Sequence, residues 1–366
     1  MGKTSIIILS HNTLDYTRLC VESIRTYTEL GSYELIVVEN GSTDGSCEWL
    51  VEQEDVCLLR NEKNLGFPIG CNQGMQKAEG DAVLFLNSDT IVTPNWLNNL
   101  RCALFSDESI GAVGCVTNSC SNYQKIPATY ADLDEMISFA EKFNCSDSQK
   151  WYPWMSLVGF CFLMKREVYE RVGGFDEAFS PGNFEDDDLS LRIRAAGYHL
   201  LLCQDTFIHH FGGRSFAQSF TDAEFEEKQK EYEKTLERNY EYFSRKWNLH
   251  YDYRMTINLV AAFPAWVPAG TRICVVNCGY GREMYYLHAM FPDAEISGVA
   301  MHENEISLAG MSFSVKFAGV WENVPEIVSE KQDYIVVYED EFFAANTERL
   351  TKKFSEMLSP NGKIIY

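Results

Sequence analysis

Short runs rich in Ile, Val and Leu recur through the first third of the chain, at 5–9, 34–38, 56–59 and 82–86, with amphipathic stretches at 16–27 and 45–52 between them. That alternation predicts an α/β layered fold around a mainly parallel sheet. In such sheets ligands bind at the carboxyl ends of the strands, so the residues that follow each run are the first candidates for chemistry. The stretch 218–247 differs, being rich in Glu, Lys and Tyr at helical spacing with no Gly or Pro, and reads as one or two long surface helices. After it, Pro264, Pro268 and Gly270 precede a new apolar run at 272–276. The organisation expected is a first domain over 1–216, a helical linker over 217–267 and a second α/β domain over 268–366.

Length agrees with two cores, since 366 residues exceed the size at which a single one usually stops growing. No apolar run reaches the roughly 18 residues that cross a bilayer, and the opening residues turn polar too soon for a secretory signal. The expectation is a cytoplasmic protein without a transmembrane segment, with peripheral membrane contact left open. The twelve cysteines are scattered and show no paired zinc spacing, so reduced thiols are expected. A formal net charge of -22 argues against a grip on nucleic acid. A phosphorylated ligand must then be held by a metal, by backbone amides or by a few local cations.

The first run ends in Ser10-His11-Asn12 and the second in Glu39-Asn40-Gly41-Ser42-Thr43-Asp44-Gly45, an acid at a strand tip followed by a turn rich in Gly and Ser. Each alone is an ordinary strand-to-helix turn, with Asp44 placed to cap the helix that follows. Together they suggest a nucleoside pocket, with Glu39 accepting hydrogen bonds from a base and His11 offering a ring to stack on it. The loop 61–74, crowded with Gly and Asn, lets backbone approach a ligand closely, although a plain surface loop has the same composition.

A stronger signal is the run 82–86, which delivers Asn87 and Asp89 at its polar tip; a carboxylate there suits magnesium or manganese bridging two phosphates. A helix cap is the alternative. Farther on, Glu185-Asp186-Asp187-Asp188 opens a helix with more acids than capping requires. Crowded carboxylates raise one another's pKa, and one beside an acceptor hydroxyl serves as a general base. His209 and His210, beside the Gly212-Gly213 turn, are candidate metal ligands.

In order and spacing, Ser10-His11-Asn12, Glu39 to Gly45, Asn64-Leu65-Gly66-Phe67, Asn87-Ser88-Asp89, Gly173-Gly174-Phe175-Asp176, Glu185-Asp186-x-Asp188-Leu189 and His210-x-Gly212-Gly213-x-Ser215 resemble the family-2 glycosyltransferases of the GT-A fold. The resemblance covers residues 4 to 216. It implies a Rossmann-like mixed sheet and a nucleotide-diphosphate-sugar donor, UDP-sugar favoured. It also implies inverting transfer to a hydroxyl of a saccharide or protein acceptor. By the same resemblance, Mn2+ or Mg2+ sits on Asp89 and His210, and Asp186 is the catalytic base. The donor side comprises Ser10, His11, Asn12, Glu39, Asn64, Gly66, Asn72, Asn87, Ser88 and Asp89; Gly159, Glu185 and Asp187 face the acceptor or sugar. Two positions depart from the family pattern: Glu39 replaces its aspartate, and Asn87 replaces the first acid of the D-x-D motif.

The mechanism follows from charge. A metal at Asp89 would ease departure of a diphosphate, while Asp186, the base the resemblance implies, would take the acceptor proton in a single inverting displacement. Glycoside hydrolysis, which also uses paired carboxylates, is the rival chemistry, and the nucleotide-like turns argue against it. A carbohydrate- or nucleotide-binding scaffold without turnover is the rival from another class.

In the second domain, Arg272 to Gly281 followed by 292–300 resembles the first half of an S-adenosylmethionine-dependent methyltransferase, with 334–338 and 358–365 similar to its later strands. Cys278 stands where that family has its first glycine, and Ala300 where it has the ribose-binding acid. The expectation is an incomplete Rossmann-like α/β domain that ends on an apolar strand. An active methyltransferase, making the chain bifunctional, and a non-catalytic fold both stay open.

Overall fold

The structure is a computed structural model that describes residues 2–120, 122–212, 222–250, 252–254 and 257–366. Its contacts divide the chain into two compact units, 1–152 with 156–243 and 153–155 with 244–366. Up to residue 243 the strands are β1 (Thr4–Ser10), β2 (Tyr33–Asn40), β3 (Val56–Asn61), β4 (Ala82–Asn87), β5 (Thr90–Ile91), β6 (Ile110–Val116), β7 (Trp151–Trp154), β8 (Cys161–Lys165), β9 (His199–Phe207) and β10 (His209–His210).

Eight of these strands form one sheet in the order β3-β2-β1-β4-β8-β6-β9-β7, and β10 pairs with β5 in a second, two-stranded sheet. The large sheet is mixed. β1 runs parallel to β2 and β4, β8 runs antiparallel to both β4 and β6, and β6 runs parallel to β9. Ile6, Ile7 and Ile8 on β1 are fully buried, as are Val83, Leu84 and Phe85 on β4. Strands covered on both faces read as unbroken apolar runs, the pattern visible in the sequence. On one face, Val21 and Ile24 of helix Leu14–Tyr27 and Trp96 and Leu100 of helix Trp96–Leu104 join Ile6, Ile8 and Leu84 in the core.

The strand directions bring the candidate chemistry to one edge. The carboxyl ends of β1, β2, β4, β6 and β9 point the same way, so the residues that follow them gather there. β8 runs against them, and Leu86 pairs with Cys161, so the residues just before β8, Gly159 and Phe160, reach that edge from the other direction.

Helix Asp222–Lys246 is one continuous element of 25 residues; positions 218–221 of the predicted helical stretch lie outside the described residues. Within the first unit this helix is anchored. Asn239 is fully buried and donates to the carbonyls of Phe179 at 2.6 Å and Gly182 at 2.7 Å, and Phe243 stacks on Phe184.

The second unit holds β11 (Arg272–Val276), β12 (Glu295–Ala300), β13 (Ser314–Phe317), β14 (Gln332–Val337) and β15 (Leu358–Ile365), all parallel, in the order β13-β12-β11-β14-β15. The α/β class, the mixed first sheet and a second Rossmann-like α/β sheet are as expected from the sequence. No described helix is long and apolar enough to cross a membrane.

Candidate functional site

The tip of β4 carries Asn87, Ser88 and Asp89, and β10 is laid antiparallel beside β5 so that His210 pairs with Thr90. Asp89 Oδ1 and His210 Nε2 come within 3.2 Å, and Asn87 Nδ2 lies 3.5 Å from the same nitrogen. Asp89 and His210 are both buried. His210 Nδ1 is 2.7 Å from the carbonyl oxygen of Ser119, which has no proton to give, so Nδ1 carries the hydrogen and donates it. In the neutral ring Nε2 then presents its lone pair toward Asp89. A histidine whose far nitrogen is tied to a carbonyl while the near one faces a carboxylate is the arrangement that holds a divalent cation. Burial lowers the His210 pKa, the Asp89 hydrogen bond and charge raise it, and the net shift is upward. Among the described residues no group of three or more His, Cys, Asp or Glu side chains converges as a complete metal cage. The pair therefore fits an ion whose remaining positions are filled by phosphate oxygens or water.

His209 points into different surroundings. Its Nδ1 is 2.6 Å from the Tyr130 hydroxyl and its ring meets Phe211 edge-on. Burial, then the neighbouring His210, lowers its pKa to about 4, which keeps it neutral.

Helix Glu185–Ala195 begins with the four acids, and their environments separate them. Asp186 accepts from the backbone N–H of Gly159 and of Asp187, each at 2.9 Å. Burial and the charge of Asp187 push its pKa up to about 7 against those two donors. Glu185 is buried, its Oε2 has no hydrogen-bond partner among the described residues, and burial with the charge of Asp186 raises its pKa well above the carboxylate range. Asp188 is fully buried and accepts from Arg192 Nε at 2.7 Å, one turn on. Asp187 is half-buried on the same turn. Asp186 thus combines partial exposure with a pKa near neutrality, the combination a general base needs.

Two consecutive residues join the half-sites. Gly159 holds Asp186, while the Phe160 ring stacks on His210 with centroids 5.2 Å apart and the Phe160 carbonyl accepts from Asn87 N at 2.9 Å.

At the other end of the edge, the turn after β2 is stitched to the tip of β1. His11 Nδ1 lies 3.0 Å from the Asn40 carbonyl, Asn12 N donates to Ser42 Oγ at 3.0 Å, and Asn12 Oδ1 accepts from Thr43 N at 2.8 Å. Asp44 accepts from the first backbone N–H of two helices, Leu14 N at 2.8 Å and Ser46 N at 3.0 Å, although the cap positions themselves are Thr13 and Gly45. Glu39 is buried, and its Oε1 accepts from Ser42 N at 2.6 Å, so one oxygen shapes its own turn.

Of the residues expected on the donor side, Ser10, Ser88 and Asn72 have their polar groups engaged within the protein, while the exposed Asn64 engages its Oδ1 there. Ser10 and Ser88 are buried at the ends of a hydroxyl chain through Thr17 and Thr13, with links of 3.0 to 3.1 Å. Asn64 Oδ1 accepts from Asn40 Nδ2 and from Gly66 N, closing the loop. Asn72 ties helix Phe67–Met75 to the 173–177 turn, donating to the Phe175 carbonyl at 2.8 Å and accepting from Phe175 N at 2.9 Å. Gly66 has φ 89°, and a Cβ there would lie 2.6 Å from Pro181 Cα, so backbone packing alone demands glycine.

Of the final motif, Gly213 and Ser215 lie outside the described residues. Sequence reasoning missed Asn118, Ser119 and Phe160, which touch His210. The first two follow the carboxyl end of β6, so the strand-tip rule would have found them had the run 110–116 been read as a strand.

A family model described as "Glycosyl transferase family 2" matches residues 5–173, and one described as "N-terminal domain of galactosyltransferase" matches 141–211. Glycosyltransferase GlyG of Streptococcus pneumoniae serotype 4 is 32% identical over 215 residues, which make up 56% of this chain and 67% of that protein. O-antigen biosynthesis protein RfbC of Myxococcus xanthus is 28% identical over 238 residues, covering 61% of this chain; the chain spans only 18% of RfbC's length. Among solved structures, mannosyltransferase PcManGT from Pyrobaculum calidifontis, in complex with GDP-Man and Mn2+, is 20% identical, covers 57% of this chain and 56% of that one, and has a TM-score of 0.43.

Proposed function

The chain belongs to glycosyltransferase family 2, and from that premise we propose that its first unit, a GT-A domain, transfers a sugar with inversion from a nucleotide-diphosphate sugar, UDP-sugar favoured, to a hydroxyl acceptor. The observation that carries this reading is the Gly159–Phe160 link, which fixes a carboxylate of near-neutral pKa and an aspartate–histidine pair on one framework. Acceptors on a surface polysaccharide are favoured over protein because RfbC carries the name of an O-antigen biosynthesis protein.

In this reading Asp89 and His210 would hold Mn2+ or Mg2+, which when bound would neutralise the charge developing on the departing diphosphate. Asn87, whose Nδ2 lies 3.5 Å from His210 Nε2, would bond a ribose or phosphate oxygen. Asp186 takes the acceptor proton; Gly159 N–H and Asp187 N–H orient its carboxylate, and Asp187 keeps it basic by like-charge repulsion. Glu39 and His11 bound the nucleoside end. Release of nucleoside diphosphate from a panel of nucleotide sugars, with Mn2+ and with chelator, tests the reading; no metal-dependent release from any donor would leave only the binding scaffold.

The second unit is a five-stranded parallel α/β sheet, and we read it as non-catalytic. Ala300 ends β12 without a carboxylate, and Cys278 is buried in the turn after β11. The loops after those strands also engage the chain's own backbone: Tyr280 donates to the Trp247 carbonyl, and Asn304 Nδ2 to that of Asn248 at 3.1 Å.

A further inference from the structure

Asn118, the second residue beyond the carboxyl end of β6, grips His210 by the backbone on both sides. Its Oδ1 accepts from His210 N at 2.9 Å and its Nδ2 donates to the His210 carbonyl at 3.1 Å. The side-chain amide takes the place of a peptide group from a neighbouring strand, extending by one rung the sheet that β10 forms with β5. The next residue completes the hold, because the Ser119 carbonyl receives the His210 Nδ1 proton. Three polar atoms of His210 are thus bound by two consecutive residues, and Phe160 covers the ring face. The chain closes in further at Gly212, which has φ 69° and where a Cβ would stand 2.5 Å from Ser119 Oγ.

We infer that Asn118 is a positioning residue for the divalent-cation site, setting the backbone of β10 so that Nε2 of His210 faces Asp89. The inference rests on the proposal that Asp89 and His210 hold the cation. β10 has only two residues and pairs with a strand of two. Ile208 N–H to the Val116 carbonyl at 3.2 Å and Phe211 N–H to the Asp89 carbonyl at 2.9 Å tie the residues on either side of it, and Asn118 is the group that holds both backbone polar atoms of His210 itself. A shift of a few tenths of an ångström matters to a ligand nitrogen, since metal coordination is tested on that scale.

The test is Mn2+ affinity in the presence of UDP, read by electron paramagnetic resonance of the free ion on the full chain. Asn118→Ala is expected to weaken Mn2+ binding about 10- to 100-fold, as losing a group that orients a ligand does elsewhere. In a His210→Ala background the same substitution is expected to change it less than about twofold, because its effect runs through that imidazole. Asn118→Asp keeps the acceptor for His210 N but loses the donor to its carbonyl. Its added negative charge would by itself attract the cation, so weaker binding in this variant reports a displaced His210. It also serves if Asn118→Ala does not fold. Wild-type Mn2+ affinity in a folded Asn118 variant, with His210→Ala impaired, overturns the inference alone. Wild-type affinity in His210→Ala overturns the cation site and this inference with it.

Discussion

Asp89 Oδ1 and His210 Nε2 lie 3.2 Å apart although 120 residues of chain separate them, and both side chains are buried at one edge of the sheet. A carboxylate and a neutral imidazole at that distance repel through their lone pairs unless a proton or a cation sits between them. Against burial, the Asp89 hydrogen bond and charge raise the His210 pKa, as a proton between the two groups requires; under the proposed function a divalent ion would take that proton's place.

Asp89→Ala is therefore expected to abolish metal-dependent binding of nucleoside diphosphate. Calorimetry with and without Mn2+ reads this directly. Equal affinity of wild type and variant in the presence of the ion would remove Asp89 from the site.

Asp186 predicts a pH profile. Its pKa of about 7 means that the reactive carboxylate is lost as pH falls below neutrality, so kcat/KM should decline on the acid side with a midpoint near 7. Asp187→Asn removes one of the charges that raise it and should move that midpoint toward lower pH. A midpoint that stays put, or moves up, would show that Asp187 does not tune the base.

For Asn72 the structure favours a tie over a ligand contact. Losing its paired bonds to Phe175 in Asn72→Ala should cost about 1–3 kcal/mol in urea unfolding and leave donor affinity within about twofold. A variant of wild-type stability with much weaker donor binding would restore Asn72 to the donor side.

The second unit gives a prediction of absence. S-adenosylmethionine titrated into the full chain should show no sub-micromolar binding, since Ala300 gives the ribose no carboxylate and the loops at Tyr280 and Asn304 hold backbone of residues 247 and 248. Tight binding would make the bifunctional reading the correct one.

Much of this was legible in the sequence because strand tips declare themselves. An apolar run that ends abruptly in Asn87, Ser88 and Asp89 reads as a buried strand delivering polar groups to an edge, and the acids at 185–188 exceed what a helix start needs. Which of those acids carries the chemistry was less plain, because one turn of helix sends four side chains in different directions. Burial takes Glu185 and Asp188 inward, and in the proposed reading the backbone of Gly159 selects Asp186. That selection depends on β8 running antiparallel, and nothing in the local pattern of 161–165 declares strand direction. Likewise Ser10, Ser88 and Asn72 share the polar character of ligand-binding residues, and only the long-range partners show their polar atoms engaged within the protein. Asn118 escaped for the same reason, since its meaning lies in a backbone 92 residues away.

The account stands most directly on Asp186→Asn, measured as release of nucleoside diphosphate from a nucleotide sugar with Mn2+, alongside donor affinity by calorimetry. The substitution keeps the shape of the side chain and removes its basicity. The expected result is donor affinity within about twofold of wild type and turnover lowered at least about a hundredfold, the low end of what general base catalysis supplies. Near-wild-type turnover in Asp186→Asn, with Asp187→Asn or Asp188→Asn inactive, would contradict the assignment and place the base elsewhere on the same turn.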